Sequence, residues 1–154
     1  MGELEEMTLT YGPGFGAQAK RNQFQRDAIM SATPARLLTM LYDRLLLDLN
    51  RADAAQQNQQ WSVASENLIH AQAIVSELMS SLKTDVWDGG ESLKALYTYT
   101  LNAMLNANIH RDAARTRECI ELLEPLREAW HEAAEQLPAQ SARGAGMGGE
   151  LGIA

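Results

Sequence analysis

Between Leu37 and Leu49, nine of thirteen residues are apolar: Leu37, Leu38, Met40, Leu41, Tyr42, Leu45, Leu46, Leu47 and Leu49. Just ahead, Thr33 offers a side-chain oxygen to the unpaired N–H groups of a helix start. Pro34 suits the first helical position, where its missing N–H costs nothing. A helix resting on one neighbour needs an apolar stripe about 100° wide. This one is apolar almost all round, so either several helices surround it or part of its surface awaits a partner.

At 154 residues, rich in Ala, Leu, Gln and Glu and poor in aromatics, the chain suits one all-α domain. Its formal charge of −7 argues against nucleic acid or an anionic membrane surface, both of which need clustered Lys and Arg. The N-terminal MGELEEM lacks the basic and apolar regions of a signal peptide. No apolar run approaches the roughly 18 residues of a membrane span, so no membrane insertion is expected and a cytoplasmic location is. Cys119, the single cysteine, excludes an intrachain disulfide and reads as a small core residue among Ile120, Leu122 and Leu123.

Periodicity continues the helical reading. The first helix should run from about Pro34 to Ala55 and end in the polar run Gln56 to Gln60, a connection short enough to demand an antiparallel neighbour. A second helix, Trp61 to Leu82, carries the seam Trp61, Ala64, Leu68, Ala71, Val75, Leu78 and Leu82 at alternating steps of three and four. Ile69 and Ile74 widen that seam on opposite sides, as core contact or as the edge of a groove.

A longer connection holds Trp87, expected to be a buried plug. The third helix, about Glu91 to Ala107, presents Leu93, Leu96, Tyr97, Leu101, Met104 and Leu105. Asn108 should close it in the left-handed conformation, and Asp112 should cap the next. The fourth helix, about Ala113 to Glu135, bears Pro125 at its middle, where a kink is expected. Pro138 should end it. Organisation follows: a flexible arm over 1–21, an antiparallel up-and-down four-helix bundle over 22–137 with a short helical or extended approach, and a disordered Gly-rich tail over 138–154.

Chemistry is sparse. Glu128 and His131 make one Glu-x-x-His, and Glu66 with His70 stand four apart, but the first helix has no Glu; a di-iron carboxylate site needs more. Neither G-x-S-x-G nor a Cys–His pair occurs. GPGFG at 12–16 follows no strand and precedes no GK[ST]. The residues therefore point to a binding or structural bundle with no enzymatic activity, no metal and no cofactor.

An ordered set of short motifs adds to this. Phe24 stands ten residues before Pro34, Ala32-Thr33-Pro34 starts the helix, and Met40-Leu41-Tyr42-Asp43 follows. AQAIVSEL spans Ala71 to Leu78, LYTY spans Leu96 to Tyr99, Ala107-Asn108 comes next, and LREAW spans Leu126 to Trp130. In order and spacing, over about residues 24 to 135, this resembles the FliS family of flagellar export chaperones. The family's N-terminal aromatic is usually tyrosine, so a hydrogen bond from that hydroxyl does not transfer to Phe24.

The resemblance implies a cytoplasmic chaperone that binds the disordered C-terminal segment of flagellin, prevents early polymerisation and delivers it to a component of the flagellar export gate. By helical phase the expected client-binding residues are Leu38, Leu41, Tyr42, Leu45, Ile69, Ile74, Leu96, Tyr97 and Met104. The resemblance also makes Phe24 and Ile29 candidates for a movable cover of the groove, or else fixed contacts of the approach. The competing reading is a homodimeric scaffold module without an export role.

Overall fold

The computed structural model describes residues 16, 17, 19–24, 26, 32–82 and 88–153, and side chains as far as 136. Four long helices follow one another: α1 (Pro34–Gln57), α2 (Trp61–Ser80), α3 (Gly90–Ile109) and α4 (Ala113–Ile153). Ile29 and Trp87, singled out above, lie outside the described residues, as does most of the 1–21 arm.

By its contacts the chain divides at Leu37/Leu38. The first unit has helical residues at 19–24 and ends in the first turn of α1. There Thr33 Oγ1 accepts from the Arg36 N–H at 3.2 Å, the cap that the sequence calls for.

The second unit is the bundle, whose helix directions follow from its side-chain pairs. Partners on α4 fall in number as those on α1 rise: Asp43 meets Arg127 at 2.8 Å, Asp53 meets Arg117 at 3.4 Å, and Gln56 meets Thr116 at 2.7 Å. These two helices are antiparallel. Between α1 and α3 the numbers rise together, Tyr42 with Tyr97 and Gln56 with Ala107, so that pair is parallel and diagonal. The up-and-down order stands.

Both tight connections lie at one end and share a closure. Gln60 N–H donates to the Ala55 carbonyl at 2.8 Å and Gln59 N–H to Gln56 at 3.1 Å, with Gln59 at φ 58. That is a Schellman motif built on glutamine in the place glycine usually takes. Arg111, at φ 53, does the same after α3, where Asp112 N–H reaches the Ala107 carbonyl at 3.0 Å. Asn108 is therefore inside α3 and does not close it; the left-handed residue comes three later. Asp112 Oδ1 then accepts from the Ala114 N–H at 3.0 Å, capping α4 as expected. α4 is assigned unbroken through Pro125 and on past Pro138 to Ile153, beyond the stop that Pro138 suggests.

The core runs the length of the bundle and joins all four helices. Leu45, Leu49, Leu68, Val75, Met104 and Leu123 are fully buried. So is Cys119, whose thiol is pushed up to about 12 by desolvation, the behaviour of a core residue and not of a nucleophile. The all-round apolar character of α1 is mostly explained by its three neighbours.

Candidate functional site

The groove residues expected from helical phase separate into three groups. Tyr42, Leu45, Ile74, Tyr97 and Met104 are buried, inside the bundle where no partner can reach them in this conformation. Leu38, Leu41 and Leu96 are half-buried against the core. Ile69 alone is openly displayed, 56% exposed. Phe24, the expected cover or fixed contact, is 77% exposed.

The reason for this sorting is polar. Tyr42 and Tyr97 hydroxyls hydrogen-bond one another across the core at 2.5 Å. Desolvation raises the pKa of both, so each stays protonated. The ring-plus-hydroxyl that made them attractive client contacts is used internally.

α1 also carries buried polar anchors inside its apolar run. Asp48, fully buried, accepts from Arg44 Nε at 3.0 Å and pairs with His70 of α2. Asp43 holds Arg127 and also His131, at 2.6 Å. The two histidines that raised the metal question are thus each joined to an aspartate of α1. Gln56 closes the loop end, accepting from Thr116 and donating to the Ala107 carbonyl at 3.2 Å.

Of the large apolar residues left exposed, Ile69 belongs to α2 and Leu105 and Ile109 to α3. The pairing of α2 with α3 is fixed at the loop end, where a cavity of about 360 Å³ is lined by Trp61, Ala64 and Ser65 from α2 and by Ala107 and Ile109 from α3. The Arg111 guanidinium lies 4.9 Å from the centre of the Trp61 ring. Ile69 lies one turn along α2 from Ser65, and Leu105 and Leu101 lie one and two turns back along α3 from Ile109, so helical spacing sets them on the flanks that continue from the cavity.

Ile69, Leu105 and Ile109 are 56%, 44% and 69% exposed, and Trp61 and Leu101 are half-buried. Beside them on α2, the Gln72 Nε2 is buried with no hydrogen-bond partner among the described residues. Leu47, Val63 and Tyr99 are exposed elsewhere, as isolated apolar side chains commonly are, and the Tyr99 hydroxyl donates to Glu118 of α4. Ile69, Leu105 and Ile109, at helical spacing from one cavity, differ from these and suit an amphipathic helix or extended segment laid between α2 and α3. Period alone sets Leu105 beside Leu101 on the apolar side of α3 without showing that it is exposed, and Ile109 lies past the helix end expected at Ala107.

Known proteins resemble this chain over most of its length. Residues 17–137 match the family model described as flagellar protein FliS. The flagellar secretion chaperone FliS of Bacillus subtilis (strain 168) is 32% identical over 110 residues, covering 71% of this chain and 82% of that protein. Its counterpart in Escherichia coli (strain K12) is 32% identical over 119 residues, 76% and 88% of the two chains. A crystal structure of a flagellar chaperone from bacteria superposes with a TM-score of 0.61 at 20% identity, covering 76% of this chain and 98% of that one.

Proposed function

Because this chain belongs to the FliS family of flagellar secretion chaperones, we propose that its α2–α3 seam is the surface on which it holds an export client, the C-terminal segment of flagellin. The family is one of chaperones and not of enzymes. No helix among the described residues is long and apolar enough to cross a membrane. The seating of a flagellin segment, its protection from early polymerisation and its transfer to a component of the export gate are our reading, as is a cytoplasmic site of action.

One observation carries it: the row formed by Ile69, Leu105 and Ile109 is left uncovered by a bundle whose other large apolar residues are mostly buried. A disordered amphipathic segment cannot bury its own apolar face and self-associates when that face is free. Laid in the seam, it gains apolar burial from Ile69, Leu105 and Ile109. Coupled folding of such a segment buries roughly 1,000–3,000 Å² and costs about 2–5 kcal/mol of ordering. The remaining affinity is moderate, which suits a client that must later be released.

Leu38, Leu41 and Leu96, half-buried on the bundle, are secondary candidates. Tyr42, Leu45, Ile74, Tyr97 and Met104 enter only if the helices separate. Phe24 remains a candidate cover.

The test is co-elution of purified chain and monomeric flagellin by size-exclusion chromatography with light scattering. A 1:1 complex that disappears when the flagellin lacks its C-terminal segment is expected. A homodimer that ignores flagellin would overturn the proposal in favour of a scaffold module.

A further inference from the structure

We infer that Arg111 receives a carboxylate of the client, fixing where along the α2–α3 seam the bound segment lies; this rests on the seam being the client surface. The cavity at the loop end is the polar terminus of an otherwise apolar track. Trp61 and Ile109 line it together with Ser62, Ser65 and Asn108, and Arg111 stands at its edge.

Two arginines of the bundle, Arg51 and Arg111, have no ion pair among the described residues. Arg44, Arg115, Arg117 and Arg127 each lie within 4.0 Å of a carboxylate. Arg111 instead lies over the Trp61 indole, its Cζ 4.9 Å from the ring centre, and no ion pair joins it to any described carboxylate. A cation over a ring face is held by the ring's electrostatics and not by its N–H donors, which leaves the guanidinium fork to bind a carboxylate through two parallel hydrogen bonds. The Schellman turn, with Arg111 left-handed, holds its backbone in place.

Charge complementarity selects the ligand. A chain of net charge −7 repels acidic segments over most of its surface, so an unpaired cation at the end of an apolar row is a local exception that orients an amphipathic client. Its apolar face lies over Ile69 and Leu105, and an acidic side chain or terminal carboxylate lies over the cavity. The covering segment desolvates the pair and strengthens it relative to a free surface contact.

The experiment is isothermal titration of a synthetic flagellin C-terminal segment into the full chain, from about 0.05 to about 0.5 M salt, where screening of exposed charges becomes strong. Variants are Arg111→Asn, Arg111→Asp and Ile69→Asp. Asn and Asp tolerate the left-handed conformation, and thermal melting confirms that each variant folds.

Arg111→Asn should weaken binding about three- to tenfold at low salt and remove most of its salt dependence, the signature of one lost charge-assisted contact. Arg111→Asp should weaken it further. Equal, salt-independent losses in both variants would mean that Arg111 only packs on Trp61, and would overturn the inference. Wild-type affinity and salt dependence in both, with binding lost in Ile69→Asp, would overturn it while leaving the seam intact. Unchanged binding in Ile69→Asp as well would overturn the seam itself.

Discussion

The Tyr42–Tyr97 pair gives the sharpest test of the packing. Removing one hydroxyl leaves the other buried without its partner, at a cost of about 1–3 kcal/mol, whereas removing both leaves two apolar rings and is close to neutral. The two single changes should not cost the same. The Trp130 indole N–H is buried without a hydrogen bond, yet it is near enough to favour the Tyr42 phenolate. In Tyr97→Phe the orphaned Tyr42 hydroxyl therefore has a donor within reach, but in Tyr42→Phe the Tyr97 hydroxyl loses its one hydrogen bond among the described residues.

We expect Tyr42→Phe to be the more harmful, Tyr97→Phe milder, and the double variant more stable than Tyr42→Phe, with a coupling of about 1–2 kcal/mol. Urea unfolding followed by circular dichroism reads this directly, since the midpoint shifts while the slope stays constant. In thermal melts, about 1 kcal/mol corresponds to a few degrees for a domain of this size. Single changes whose costs simply add in the double variant would refute the hydroxyl pairing. Loss of client binding in the stable double variant would return the two tyrosines to the client surface.

Three further outcomes follow from the same interior. Gln59→Gly should raise stability by up to about 1 kcal/mol, since a left-handed non-glycine residue costs about 1–2 kcal/mol and part of that gain is offset by chain entropy; a lowered melting temperature would contradict it. Gln56→Ala should destabilise by about 1–3 kcal/mol by orphaning the Thr116 hydroxyl, and a neutral result in urea unfolding would show that hydroxyl to be satisfied elsewhere. Stability should fall as pH rises from about 9 towards 12. The unfolded Cys119 thiol, with an ordinary value of 9.0, gives up its proton first, while the folded thiol holds it to about 12. Above pH 9 the native state thus binds more protons than the unfolded one, and desolvated Tyr42 and Tyr97 act in the same direction. A urea midpoint that stays flat over this range would refute it.

Much of the bundle was legible because apolar periodicity and helix signals agreed. The seam through Ala64, Leu68, Ala71, Val75 and Leu78 is buried as its spacing required, and Thr33 and Asp112 cap the helices they precede. The site was harder to read, for a physical reason. A core and a groove use the same side chains, and period gives each residue's direction but not what stands opposite. Tyr42 and Tyr97 are compatible with either role until their hydroxyls are seen to meet. Ile69 and Ile74 flank one seam symmetrically, yet Ile69 is exposed where Ile74 is covered.

Polar residues in apolar runs were the least legible. Nothing in LLLDLN indicates that Asp48 is fully buried and bound by Arg44 and His70, because both partners depend on tertiary placement. Propensity favours Asn108 for the left-handed closure, but the chain uses Arg111, where the demands of the turn override preference.

The central claim is that the seam is client surface and not an incidental apolar row, and the heat-capacity change of binding tests it most directly. Titrating the flagellin C-terminal segment at several temperatures into the wild-type chain and an Ile69→Asp/Leu105→Asp variant should give 1:1 binding with a negative heat-capacity change for the wild type. The variant should keep its thermal stability, since both side chains already face water, and lose both affinity and that heat-capacity signal. Undiminished binding by a folded double variant, with the same heat-capacity change, would contradict the account.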